Sequence, residues 1–255
     1  IFVCYLFRTV GTVSHPSNNA LQASDITIDT TTLVTDSTNN RVGIGTASPS
    51  TSLNVVGGEY LQTQDSADTV LTLTSTSNSG RSYQIRSQNS SGAFFVYDNT
   101  AGASRITVDS NGHVTMPSQS AFLVTMSSNS AQFGPSGTTP NFDTEIFDQN
   151  GDFASNAFTA PVTGRYYLSC LLYGYTLDQD ASYYFILIQT SNRNYYKYLG
   201  GGQWDSDAIY YGIDVQMLCD MDANDTASIS FGQSGGHSSS QILASASFFS
   251  GYLAC

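Results

Sequence analysis

The glycine-rich segment GGGQWDSDAIYY (Gly200 to Tyr211) carries the side chains best suited to holding a ligand. It sets Trp204, the single tryptophan of the chain, beside Asp205 and Asp207. An aromatic plate next to carboxylates holds sugar rings by stacking on the ring and hydrogen bonding to its hydroxyls. The competing reading is that Trp204 packs under its own loop or at a seam between subunits, since large aromatics are buried on average. A second candidate lies a few residues earlier. Asn192, Arg193, Asn194, Tyr195, Tyr196 and Tyr198 form a hairpin tip of the Tyr, Asn and Arg types favoured at adaptable interfaces. A decorated turn without a partner explains the same residues equally well.

Metal and catalytic chemistry find less support. Asp220, Asp222 and Asn224 space oxygen ligands as the start of an EF-hand loop does, but Asp225 stands where that loop needs Gly and Phe231 where it needs a bidentate Glu. A polar hairpin turn is the expectation, so no cofactor is expected, and calcium is the one ion the sequence leaves open. His15, His113 and His237 sit far apart without partner patterns, and His237, in GGHSSS, reads as a solvated loop histidine. VGIG (Val42 to Gly45) lacks the third glycine of a nucleotide fingerprint. No GxSxG, HExxH or paired-carboxylate segment appears. The chain is therefore not expected to be an enzyme.

Composition narrows the partners. Only 11% of residues are charged against 40% hydrophobic, so Ser, Thr, Asn, Gln and Gly must supply most of the polar surface. A net charge of -12, with no basic segment to offset it, repels phosphates and excludes nucleic acid. Cys4, Cys170, Cys219 and Cys255 show no metal spacing. Cys170 and Cys219 fall in strand-like runs, as buried small apolar side chains or joined to each other or to Cys255 by a bridge. No apolar run reaches the roughly 20 residues needed to span a bilayer, so no membrane insertion is expected. IFVCYLF (Ile1 to Phe7) could be a truncated leader, but a run this short followed by Arg8 better suits a strand seeking an apolar partner.

The elements that must position these residues are strands throughout. Between Asp25 and Pro117 they are short and polar, as in VLTLT (Val70 to Thr74) and RITV (Arg105 to Val108), with turn clusters such as Asn111–Gly112 between them. DSTNNRVGIG (Asp36 to Gly45) and DSNGHVTMP (Asp109 to Pro117) repeat an acidic turn followed by a strand. This pattern resembles segments of bacteriophage tail-fibre and related virion appendage proteins, in which strands of three chains wind about one axis. Strands this poor in large apolar residues could hardly bury a core alone, whereas three interleaved chains remove the sheet edges. The expected organisation is an attachment segment over 1–24, an intertwined trimeric stem over 25–117 and a head over 118–255.

From Ser118 the strands lengthen and aromatic residues multiply: YYLSCLLYGY (Tyr166 to Tyr175), SYYFILIQ (Ser182 to Gln189), YYGIDVQMLC (Tyr210 to Cys219). FTAPVTGRYYLS (Phe158 to Ser169), with Phe158, Gly164, Tyr166 and Leu168, and FFSGYLAC (Phe248 to Cys255), with Phe249, Gly251 and Tyr252, resemble the central and closing motifs of the complement-1q and tumour-necrosis-factor head family. The family usually has an aromatic residue where Leu168 stands. The resemblance implies a ten-stranded jelly roll and a homotrimer with aromatic contacts between subunits. It also implies that Ser118 and Cys255 lie together at the base of the head, leaving the far loops free. The stem and head together suggest a trimeric virion fibre or spike that binds a host-surface glycan or protein, attached through its N-terminus to other tail or capsid proteins. A purely structural fibre clamped by its head, or a secreted trimeric adhesin or cytokine-like ligand, are the alternatives.

Overall fold

The computed structural model describes residues 27–28, 32–57, 66–77, 79–133, 137–237 and 239–255. The expected attachment segment 1–24, with Cys4 and His15, lies outside the described residues, as do Ile26, Asn78 and Ser238. The chain divides into two compact units, Ile1–Asp65 and Ser66–Cys255, so the expected stem is shared between them. No helix among the described residues is long and apolar enough to cross a membrane.

The first unit holds one four-stranded sheet in chain order: β1 (Thr27–Ile28), β2 (Leu33–Asp36), β3 (Arg41–Ile44) and β4 (Leu53–Val55). The β2–β3 turn is built by Asp36, whose Oδ1 accepts the backbone N–H groups of Thr38 and Asn39, each at 3.1 Å. Asn40 then takes the positive φ that closes the hairpin. β4 runs parallel to β3, and Gly45 permits this return, since a Cβ there would lie 2.0 Å from Val56 O.

The second unit opens with an antiparallel meander: β5 (Thr69–Thr74), β6 (Ser82–Ser87), β7 (Phe94–Asp98), β8 (Ala103–Val108) and β9 (Val114–Thr115). Its last turn repeats the device of the first unit, with Asp109 Oδ1 accepting the N–H groups of Asn111 at 2.8 Å and His113 at 2.9 Å. One sheet face is pinned by an ion cluster. The Asp98 side chain is fully buried between Arg81 and Arg105, whose Nη2 lies 2.7 Å from Asp98 Oδ2. Arg105 first, and then Arg81, hold this carboxyl well below the usual carboxylate range against the opposing effect of burial. A depressed folded-state pKa stabilises above the unfolded value near 3.9 and is lost as pH falls through the folded value. Thermal melts from pH 7 to pH 2 are therefore expected to show a loss of stability that begins below about pH 5. Asp98→Asn should melt lower at pH 7 and show a shallower acid loss; an unchanged acid profile would mean the cluster contributes nothing.

Residues 121–253 form two facing five-stranded sheets. In chain order the strands are β10 (Ala121–Thr125), β11 (Thr144–Asp148), β12 (Phe153–Ala154), β13 (Ala157–Thr159), β14 (Gly164–Leu177), β15 (Ala181–Thr190), β16 (Asn194–Gly200), β17 (Ala208–Met221), β18 (Thr226–Gly235) and β19 (Gln241–Leu253). One sheet has the order β11-β10-β19-β14-β17 and the other β12-β13-β18-β15-β16, all pairs antiparallel. The chain crosses between sheets instead of pairing sequential neighbours throughout, which makes the head a ten-stranded jelly roll.

The core follows the alternation. On β14 Tyr166, Leu168, Cys170, Leu172 and Gly174 are buried in alternation, with Leu177 buried at its end, and the residues between the alternating set face outward. Phe122 lies 4.9 Å from Phe158, 5.2 Å from Phe153 and 5.0 Å from Phe249, an aromatic knot joining the sheets near one end. Tyr166 completes it, its Oη donating to Val162 O at 2.7 Å. Leu168 is fully buried beside it. Gly251 must be glycine, since a Cβ would meet Leu168 Cδ2 at 2.5 Å and Phe122 Cε1 at 2.9 Å. Cys170, Cys219 and Cys255 are free. Cys170 pairs with Val215 and Cys219 with Tyr166, four register steps or about 13 Å apart, beyond disulfide reach.

Candidate functional site

The head has two distinct ends. At the base the chain enters and leaves together: Leu253 N donates to Ser120 O at 3.0 Å and Arg165 N to Cys255 O at 2.7 Å. The acidic turn belongs to this end. Asp225 Oδ2 accepts Asp222 N at 2.8 Å, and Asn224 N donates to Ala160 O at 2.8 Å, so the carboxylate builds a hairpin turn. At the far end lie the connections 178–180 and 201–207 and the described residues 236, 237, 239 and 240, beyond the register pairs Leu177–Ala208 and Tyr175–Gln241.

The six residues singled out from the sequence occupy three places. Arg193 and Tyr195 sit at the base, both engaged by Asp220: Arg193 Nη2 lies 2.5 Å from Oδ2, and Tyr195 Oη donates to Oδ1 at 3.2 Å. Burial, then the neighbouring Cys219 and Asp220, push the Tyr195 hydroxyl up to about 12. Tyr196 faces outward from β16, stacked 5.4 Å from Tyr198. Trp204, Asp205 and Asp207 lie at the far end, six register steps or about 20 Å along β15–β16 from the hairpin tip. Trp204 is half-buried, its ring 5.4 Å from Tyr211 and 6.2 Å from Tyr184, so its own loop holds part of the indole. Asp205 is exposed.

Asp207 meets two residues that the sequence reading did not bring to it. Its Oδ2 lies 3.5 Å from His237 Nε2, which lies 3.4 Å from Asp178 Oδ2. Asp178 is buried at the end of β14, and its carboxylate accepts the backbone N–H groups of Asp180, at 2.8 Å, and of His237. Burial raises the Asp178 pKa, but those two N–H groups and the His237 side chain together outweigh it and leave it lowered. The three residues stand about thirty positions apart in sequence, and only the Asp–Gln–Asp stretch (Asp178 to Asp180) could have drawn attention to the first.

Between β16 and β17, the edge strands of the two sheets, runs an open groove of about 600 Å³ lined by Tyr195, Lys197, Asp214 and Met217 among others. The outer faces of the sheets are aromatic. On the first, Tyr252 is half exposed and lies 5.5 Å from Tyr167, and Tyr173 stacks 5.7 Å from Tyr210. On the second, Tyr183, Phe185, Tyr196 and Tyr198 form a connected group.

No protein-family model and no curated protein matches the chain. Among solved structures it is similar to the globular domain of zebrafish complement 1qA protein, at 15% identity and a TM-score of 0.42 over 54% of this chain and 98% of that one. It is also similar to murine APRIL, at 8% identity and a TM-score of 0.40 over 53% of this chain and 98% of that one. The jelly-roll assignment stands on the strand order of the head itself.

Proposed function

We propose that this chain is the subunit of a homotrimeric virion appendage of the phage tail-fibre type. Residues 25–117 contribute to an intertwined stem, and the far end of the head binds a glycan or protein on the host surface. The observation that carries self-association is the β5–β9 sheet. Register places Leu71, Leu73, Tyr83, Ile85, Phe94 and Ile106 on one face, all six exposed, with the Asp98 ion cluster at one end of the same face. A single-layer sheet with one apolar face needs a second layer, and the same face of other chains supplies it by symmetry. The head favours the same state. Its two aromatic outer faces are unlike each other, as a closed three-fold ring requires, where one surface of each subunit meets a different surface of the next.

Recognition falls to the far end because the base is occupied by the chain's own entry and exit. Function by binding, not catalysis, agrees with the absence of a catalytic motif in the sequence. Three weak sites on one particle multiply affinity by about a hundredfold or more. Light scattering of the full chain should return three times the 27.3 kDa of the single chain, and a monomer would overturn the reading.

The half-buried Trp204 favours one second reading, in which the head is a trimerisation clamp and the fibre purely structural. Binding of the fluorescently labelled protein to a glycan array separates the two. Trp204→Ala should abolish array binding at unchanged oligomeric mass if the far end recognises sugar, and should change nothing under the clamp reading.

A further inference from the structure

The far-end cluster of Asp178, Asp207 and His237 brings three potential metal-ligand atoms within 4.8 Å of one another. Three connections bring the residues together, one from the β14–β15 loop, one from β16–β17 and one from β18–β19. The Nε2 to Oδ2 separations of 3.4 and 3.5 Å exceed a good N–H···O hydrogen bond, which is about 2.7–3.2 Å. These two match edges of a tetrahedron around an ion held at about 2.0–2.1 Å, which are roughly 3.4 Å long, and the two carboxylate oxygens lie within 4.8 Å of each other. The charges point the same way. The Asp178 side chain is 1% exposed, and among the described residues neither it nor Asp207 has a lysine or arginine partner. The N–H groups of Asp180 and His237 satisfy part of the Asp178 carboxylate, and a cation shared with Asp207 would neutralise both acids.

The surroundings orient the donors. Asp207 Oδ1 accepts Gln179 N at 3.1 Å, leaving Oδ2 to face the imidazole. Ser239 Oγ lies 2.6 Å from His237 Nδ1. With the Nδ1 proton donated to that hydroxyl, the Nε2 lone pair points at the two carboxylates, the arrangement by which an outer hydroxyl sets a ligating histidine. Gly236 lets the loop wrap this closely, since a Cβ there would lie 2.3 Å from Asp178 Oδ2.

We propose that Asp178, Asp207 and His237 bind a first-row divalent cation of the zinc type, one per chain. An imidazole nitrogen with only two carboxylates suits zinc or its neighbours, whereas calcium takes six to eight oxygens. Three protein ligands leave a fourth position for solvent or an oxygen donor of a bound partner. The site lies within one chain and does not depend on the trimeric reading.

Trp204, three residues before Asp207, makes the test direct, because it is the only tryptophan. The full chain is titrated with ZnCl2 by calorimetry, and with CoCl2 while following both visible absorption and Trp204 fluorescence. Expected are one saturable site per chain, the intense visible bands of four-coordinate cobalt and quenching of Trp204. Asp207→Asn and His237→Ala, both at exposed residues, should each weaken zinc binding by at least tenfold, and Ser239→Ala by about tenfold. His113→Ala and Cys255→Ser should leave it unchanged. Circular dichroism of each variant establishes that it folds. No saturable binding at millimolar zinc, equal affinity in His237→Ala, or binding of calcium alone would each overturn the proposal.

Discussion

If the chains assemble as the proposed homotrimer, Ile85→Lys is expected to reduce the mass in solution from three chains to one. Ile85 stands in the middle of the apolar face of the β5–β9 sheet, in register with Leu71 on one side and Val96 on the other. It is 42% exposed in the single chain, so a lysine there costs the lone subunit little. In a trimer the same position packs against another chain. Ile85 is already more than half covered in the single chain, so each subunit would lose about 1 kcal/mol of further isoleucine burial and would place a charge in an apolar interior, and the loss enters three times. Thr72→Lys, on the opposite face of β5, is the control and should leave the mass unchanged. Light scattering of both variants decides the matter. If Ile85→Lys retains the parental mass, the face is not the surface on which the chains meet.

Phe249→Ala should be the most damaging substitution in the head. Phe249 is fully buried and touches Phe122, Phe142 and Phe153 from both sheets, at ring separations of 5.0, 5.9 and 6.1 Å. Truncating a buried phenylalanine costs about 3–5 kcal/mol, through lost transfer energy and the cavity left behind. Against a total stability of about 5–15 kcal/mol for an ordinary domain, that is a large fraction. The melting midpoint is expected to fall by roughly 10–20 °C. Tyr252, three residues on, alternates to the outer face and is half exposed. Tyr252→Ala should therefore change the midpoint of the separated subunit by a few degrees at most, while weakening association. Equal thermal losses in the two variants would contradict the inward and outward assignment of β19.

The contrast between Phe249 and Tyr252 was legible in the chain because alternation is a local property. So were the Asp36 and Asp109 turns, in which one carboxylate caps N–H groups two to four residues ahead. The acidic turn at 222–225 likewise appeared as a hairpin from its missing glycine and glutamate, and the structure folds it as one. The candidate site was less legible. Arg193 and Trp204 are eleven residues apart and read as neighbours, yet β16 carries the chain along the head between them, so they stand at opposite ends. His237 read as an isolated loop histidine because its partners, Asp178 and Asp207, lie far away in sequence.

The residues by themselves determined that this protein is all-β, where its long strands run, which turns join them and which side chains alternate inward. These depend on interactions over a few residues, which composition and spacing record. Tertiary structure alone decided the strand order of the two sheets, the single apolar face of β5–β9 and the convergence of Asp178, Asp207 and His237. The reason is physical. Alternation specifies that a strand has two faces, but register and crossover, set by packing across the whole head, choose what each face meets.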